Sequence, residues 1–246
     1  METLYQALTF VIVILVGYLI GSIPTSVIVA KAHGIDITSV GSHNAGGTNV
    51  GRVIGKKAGL LTMLIDILKT YFFCSMVMLF LSFGPAIFVN PTPRFLNEMK
   101  ELLVGLAGFS VAIGHTFPLF NRFKGGKAVA CFAGYVLFAA PLISLVGVIV
   151  FFLIFKFGKR VYLSSVIGVP SCFLASLIPM SLDFTLLQDV SLYNGGLWFG
   201  HSYYLHLTFI TTIILFLFSL LVVIRHYSNI TRLAKGKEPE THFKKD

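Results

Sequence analysis

Polar and apolar positions along this chain fall into long blocks. Stretches without a single Asp, Glu, Lys or Arg cover Thr3–Ala30, Thr70–Thr92, Leu102–Asn121, Ala128–Phe155, Val161–Leu182 and Val190–Ile224. At about 20 residues per bilayer crossing, each block is long enough to enter or span a membrane. Lipid offers the backbone no hydrogen-bond partner, so such blocks predict helices. The pattern therefore predicts an all-α polytopic membrane protein forming a single integral-membrane domain over residues 1–246. Only Glu2 precedes the first block and no basic segment does, which predicts a retained first helix and not a cleaved signal peptide.

Charge sets the expected orientation. Of 246 residues, 56% are hydrophobic and 12% charged, and the net charge is +9. The basic residues cluster as Lys31, Arg52, Lys56 and Lys57; Arg122, Lys124 and Lys127; Lys156, Lys159 and Arg160; and six more from Arg225 onward. Placing every cluster on the cytoplasmic side satisfies the positive-inside rule and leaves Arg94 and Lys100 outside. The first helix, Leu4 to Ala30, then runs inward, and a cytoplasmic loop leads to Lys56. An outward helix ends near Phe83, Gly84–Glu101 is external, and an inward helix reaches Phe120. Ala128–Phe155 begins and ends beside basic clusters, which predicts two short helices hinged near Pro141. Another helix ends near Pro179. The loop Ser181–Ser202 is external, with the chain's one Trp in an interfacial aromatic belt, and a last helix returns to a cytoplasmic tail at Arg225. The sum is seven transmembrane helices, N-terminus outside and C-terminus cytoplasmic. Gly17 and Gly21 form a GxxxG expected to pack against a neighbour. The three Cys lie in apolar runs with no metal-ligand spacing, so neither a metal nor a disulfide framework is implied.

Four polar segments share the cytoplasmic face. In "GSIPTS", Gly21–Ser26, Pro24 frees a backbone carbonyl that Ser22, Thr25 or Ser26 could satisfy. In "GSHNAGGTNVGRVIGKKAG", Gly41–Gly59, glycines and asparagines tolerate positive φ and can turn amide groups toward an anion. Ser42, Asn44, Thr48 and Asn49 add neutral donors, and Arg52 offers a two-pronged phosphate grip. In "GHTFPLFNRFKGGKAVA", Lys124, Gly125, Gly126 and Lys127 lead into a helix N-terminus, a favourable place for phosphate. Asn121 and Ala128 break the Walker A pattern, which argues against nucleotide hydrolysis. In "RHYSNITRLAKGKEP", His226 and Asn229 are three apart and face one way if the helix continues. As a basic juxtamembrane segment, the same stretch could instead anchor to anionic lipid. Asp66 and Lys69, at i and i+3 within an apolar block, are expected to pair inside the bundle.

Taken in order, "GSIP", "GSHNAGGTNVGRVIGKKAG", "DILK", "GHTFPLFNRFKGGKAVA" and "RHYSNITRLAKG" resemble the bacterial acyl-phosphate:glycerol-3-phosphate acyltransferases of the inner membrane. The resemblance covers residues 17 to 236. It implies transfer of a fatty acyl group from acyl phosphate to the 1-hydroxyl of glycerol 3-phosphate, giving lysophosphatidate and inorganic phosphate in phospholipid synthesis. It also implies a bacterial inner-membrane location with a cytoplasmic active site. The partners would be the two substrates and membrane lipid, with no cofactor, no metal and no nucleic acid. By that resemblance Ser42 and Arg52 hold phosphate, with Asn44, Thr48 and Asn49 shaping the same loop. Lys127 with Lys124, Gly125 and Gly126 forms a second phosphate site, and His226 and Asn229 complete the pocket and position the acceptor. The chain departs from the family pattern at several positions. His43 stands where Gly is usual, Gly47 where Ala is usual, Ala128 for Gly, Cys131 for Thr, and Ser228 for an acid. Ala128 is expected to take ordinary helical angles. No Ser–His–Asp set and no His-x4-Asp is present, which favours direct attack by the glycerol hydroxyl. Its proton would pass to the donor's phosphate or to His226. A transporter of organic phosphates is the alternative, though it would place its polar site at mid-membrane within a repeat.

Overall fold

A computed structural model describes residues 2–83, 93–181 and 209–245. Ten helices occur among them. α1 (Glu2–Gly21), α2 (Thr25–Lys31), α3 (Gly47–Val53) and α4 (Lys56–Phe83) come first. α5 (Pro93–Thr116), α6 (Val129–Ala139), α7 (Pro141–Gly158), α8 (Val161–Ser181), α9 (Phe209–Arg225) and α10 (Tyr227–Ala234) follow. Five stretches are long and apolar enough to span a bilayer: Ala7–Lys31, Lys56–Leu81, Met99–Asn121, Pro141–Gly158 and Val161–Ile178. A sixth is obtained if α9 and α10 are taken as one bent span. α6 is apolar but short. The chain is an all-helical membrane protein. The expected external loop Ser181–Ser202 lies, from residue 182 on, outside the described residues, as does 84–92 of the other external stretch.

α5 is the central element, and it packs on α1, α4, α6 and α9. A Cβ built on Gly17 would sit 2.0 Å from Ser110 Oγ, one on Gly21 2.1 Å from the Val111 carbonyl, and one on Gly114 2.1 Å from the Tyr18 carbonyl. Nothing larger than hydrogen fits at these three positions, so the predicted GxxxG face is the α1–α5 seam. On the other side of α5, Tyr135 of α6 stacks on Phe218 of α9, with centroids 5.2 Å apart. Phe109 of α5 meets the same ring edge-on. Apolar side chains on the outer faces remain exposed, among them Ile12, Leu15, Phe72, Met76, Phe152 and Leu153. In water such a belt would be untenable, whereas lipid tails cover it without cost.

Several expectations are corrected. The first predicted helix is two, broken at residues 22–24, because Pro24 lacks an amide hydrogen and cannot continue the ladder. The freed carbonyls of Gly21 and Ile23 are not served by the neighbouring hydroxyls. Lys69 Nζ reaches them, at 3.3 and 3.4 Å. α5 starts at Pro93, well before the predicted inward helix, and Glu101, expected outside, is buried in it. Pro suits a first helical position, where its missing N–H is no loss. The hinge at Pro141 is where the pattern put it, but its two legs are unequal, 11 and 18 residues. The last helix does not continue past Arg225: the chain bends by 54° at His226 before α10.

The Asp66–Lys69 pair forms at 2.7 Å within the bundle. Thr25 donates to Asp66 at 2.9 Å, and His115 Nδ1 lies 3.3 Å from Lys69 Nζ. Buried ionic groups of this kind need every partner they have. Here those partners join the α1–α2 break, α4 and α5 at one end of the bundle.

Candidate active site

The loop after α2 is held from inside. Asn49, fully buried at the start of α3, donates through Nδ2 to the Ile37 and Val40 carbonyls, 3.0 Å each. Its Oδ1 accepts the Ser42 amide at 2.8 Å. Asn49 therefore frames the loop and has no donor left for a phosphate. Asn44 and Thr48 are half-buried. Left-handed backbone occurs here at Gly41 (φ 64°) and His43 (φ 57°), not at the asparagines. With the loop so bent, Ser42 and Arg52 share a cavity of about 400 Å³, whose far wall is Arg232, Glu238 and Pro239.

A second loop sits on the end of α5. The Gly126 amide donates to the His115 carbonyl at 3.0 Å, so it too is occupied within the fold. A Cβ at Gly126 would lie 2.1 Å from His115 Nε2, so glycine is required by close approach. This arrangement sets Lys127 at the entrance of α6, where its ammonium donates to Asn229 Oδ1. Asn229 Nδ2 donates onward to Glu238 Oε1 at 2.6 Å, and Arg232 Nε donates to Glu238 Oε2 at 2.5 Å. Burial pushes the Lys127 ammonium down to about 8, helped by the charges of Arg232, Arg225 and Arg52 and opposed by Glu238. Desolvation disfavours its charged form, and neighbouring cations add to that.

His226, at the bend between α9 and α10, is buried, and its Nδ1 lies 2.8 Å from the Val222 carbonyl. A carbonyl only accepts, so Nδ1 carries the hydrogen and Nε2 is left as the basic nitrogen. Arg225 Nη2 donates to the Gly126 carbonyl at 3.4 Å, and its guanidinium lies 5.2 Å from the centre of the Phe117 ring. Arg52 and Arg232 thus share the polar cavity with the buried Glu238 carboxylate, Lys127 is tied to that carboxylate through Asn229, and the charge of Arg225 is felt at Lys127. Lys124 is not among them: its side chain is exposed, and its charge is felt by Asp36 instead.

Residues 11–236 match the model of the glycerol-3-phosphate acyltransferase family. The chain is 38% identical over 246 residues to a glycerol-3-phosphate acyltransferase of Chlorobium phaeovibrioides, covering 97% of this chain and 99% of that one. The chain belongs to the glycerol-3-phosphate acyltransferase family. It is also 34% identical to a glycerol-3-phosphate acyltransferase of Staphylococcus aureus, over 94% of this chain and 96% of the relative. Its fold is similar to the crystal structure of PlsY, an integral membrane glycerol 3-phosphate acyltransferase, in the glycerol 3-phosphate form. There the TM-score is 0.72 at 27% identity, covering 95% of this chain and 96% of that one. The lysophosphatidic acid form of the same protein superposes with a TM-score of 0.69.

Set against the family pattern, two departures acquire a physical meaning. His43 and Ala128 both replace a usual glycine, and both have positive φ, 57° and 61°. The expectation of ordinary helical angles at Ala128 is therefore overturned, because the residue turns the chain into α6 in the left-handed region. A side chain is disfavoured in that conformation. The residues that sequence reasoning missed are Arg232 and Glu238. The one signal for Glu238 is that it is the first acid after a run of bases in "RLAKGKEP".

Proposed function

We propose that this acyltransferase moves a fatty acyl group from acyl phosphate to the 1-hydroxyl of glycerol 3-phosphate, releasing lysophosphatidate and inorganic phosphate. The observation that carries this reading is that Arg52 and Arg232 line a cavity that also holds Ser42, while Lys127, from a third distant part of the chain, is tied through Asn229 to Glu238 in the same wall. Two anionic substrates repel one another, and a cluster of fixed cations offsets that repulsion while orienting both. In this reading Arg52 and Ser42 grip one phosphate, Lys127 the other, and Asn229 aims Lys127. The seven crossings would be α1–α2, α4, α5, the short α6, α7, α8 and α9. Basic residues on both sides of the α6–α7 pair favour an inner membrane orientation with the site toward the cytoplasm.

Acyl phosphate is a mixed anhydride with a good leaving group, so positioning and charge stabilisation carry most of the catalysis. The glycerol hydroxyl oxygen attacks the acyl carbonyl carbon, the acyl–oxygen bond to phosphate breaks, and the departing phosphate takes up the electron pair beside Lys127. The hydroxyl proton goes to that phosphate or to His226 Nε2. Turnover of His226→Ala at saturating acceptor separates the two routes: near-normal turnover assigns it to the phosphate, a collapse to the histidine. The site assignment itself is tested with Lys127→Met, which keeps the apolar stem and removes the charge. Its kcat/KM for glycerol 3-phosphate is expected to fall by on the order of 10²–10³. An unchanged value in a folded variant would remove Lys127 from the site.

A further inference from the structure

The family match ends at residue 236, yet the chain beyond it is built into the site. From Glu238 the tail runs back across α3, the start of α4 and the turn between α7 and α8. The Thr241 amide donates to the Lys159 carbonyl at 2.8 Å, in the turn between α7 and α8. The Lys244 amide donates to the Gly51 carbonyl at 3.1 Å, and the Lys56 amide returns a bond to the Lys244 carbonyl at 3.2 Å. Phe243 seals the crossing: a Cβ on Gly51 would stand only 2.8 Å from its ring. Main-chain bonds at Thr241 and at Lys244 make this tail a strap of fixed path.

At the centre of the strap, Thr241 is buried, at 7% exposure. Its Oγ1 accepts from Arg52 Nη2 at 3.1 Å and from the Val161 amide at 3.2 Å. Arg52 needs such a partner. It sits in the last turn of a seven-residue helix inside a glycine-rich loop, on a long side chain with many rotamers. The kind of partner also matters. Arg232 bonds the Glu238 carboxylate directly, whereas Arg52 feels that carboxylate only through space and gives its hydrogen bond to a neutral hydroxyl. A hydroxyl fixes the plane of the guanidinium through one of its five N–H groups and leaves the charge and the other donors for an incoming anion.

We propose that Thr241 is a positioning residue for Arg52, and that the strap Glu238–Lys244 completes the phosphate grip of this enzyme. The inference rests on the reading of Arg52 as a phosphate ligand. The strap adds a wall to the cavity through Glu238, Pro239, Glu240 and His242. Deleting the Thr241 hydroxyl frees Arg52 to swing without removing any charge, so acceptor binding weakens while the chemical step keeps its rate.

The test is binding of glycerol 3-phosphate, measured by titration calorimetry on the detergent-purified full chain. Wild type, Thr241→Val, Thr241→Ala and Thr241→Ser are compared, with a thermal melt of each. The valine and alanine variants, which lose the hydroxyl, are expected to bind roughly ten-fold more weakly, the scale of one charge-assisted hydrogen bond. The serine variant, which keeps it, should stay within about two-fold of wild type. In steady-state assays the same ordering should appear in the acceptor KM with kcat unchanged. Having both valine and alanine keeps the result decisive if one of them fails to fold. Binding unchanged in a folded variant lacking the hydroxyl would overturn the proposal. So would equal weakening in the serine variant, or no binding by wild type. If wild type binds and the ordering holds, but no acyl group moves from acyl phosphate, the strap stands and the proposed reaction falls.

Discussion

Lys127 and Asn229, 102 residues apart in the sequence, share a hydrogen bond whose other end is anchored on Glu238, and this chain of three fixes where the ammonium points. The same burial that aims Lys127 lowers its affinity for a proton to about 8. A depressed ammonium is charged below that value and neutral above it, so the proposed grip on phosphate is expected at neutral pH and should be lost as pH rises through about 8. Glycerol 3-phosphate is not the source of such a change, since a phosphate monoester has its second pKa near 6 and is largely dianionic by about pH 7. The acceptor KM should therefore be flat from about pH 7 and climb beyond about pH 8, while Lys127→Arg flattens the climb; a flat wild-type profile to pH 9.5 would count against the role given to this residue. At this scale much was legible. Ser42, Arg52, Lys127, His226 and Asn229 stand out as polar islands beside apolar blocks, and four of them face the shared cavity or its hydrogen-bond chain. In the sequence Asn49 reads both as a donor to phosphate and as a residue shaping the loop; its hydrogen bonds support the second role, and a sequence does not show which donors a loop consumes internally. Glu238 was hidden by its setting in a basic tail that also suits a lipid anchor.

Among the elements, the breaks that chemistry marks were readable and the unmarked ones were not. Pro141 divides α6 from α7 where the pattern put a hinge; the sequence marks Pro24 as freeing a carbonyl within one helix, and the structure makes it a full break between α1 and α2, as a missing amide hydrogen allows. The 54° bend at His226 has no Pro or Gly to announce it. At that turn His226 Nδ1 bonds back to the Val222 carbonyl one turn earlier, and Asn229 makes a long-range hydrogen bond with Lys127. The entrance of α6 makes a specific prediction. Ala128 occupies the left-handed region with its side chain fully buried, and a left-handed L-residue costs about 1 kcal/mol or somewhat more. Ala128→Gly relieves that cost and should raise the thermal midpoint of the detergent-solubilised protein by a few degrees, for a gain of about 1 kcal/mol. His43→Gly, exposed and also left-handed, should act in the same direction. A lowered midpoint in Ala128→Gly would show that the methyl group's packing outweighs its backbone strain.

For the whole molecule, the bundle supplies an apolar belt that lipid can cover, and the loops supply a cationic pocket at one end of it. That division was visible in the sequence as charge-free blocks separated by basic clusters, which is why the membrane class could be read early. The way the far C-terminal tail closes the pocket could not be, since long-range main-chain bonds leave no pattern in composition. The central claim is that this pocket joins an acyl phosphate to glycerol 3-phosphate. The most direct measurement is phosphate release by the purified protein supplied with palmitoyl phosphate, with and without glycerol 3-phosphate, and with palmitoyl-CoA as the parallel donor. The predicted result is acceptor-dependent phosphate release with lysophosphatidate formed, and no product from the CoA donor. Acyl transfer from palmitoyl-CoA instead, or no product from either donor in a folded sample, would contradict it.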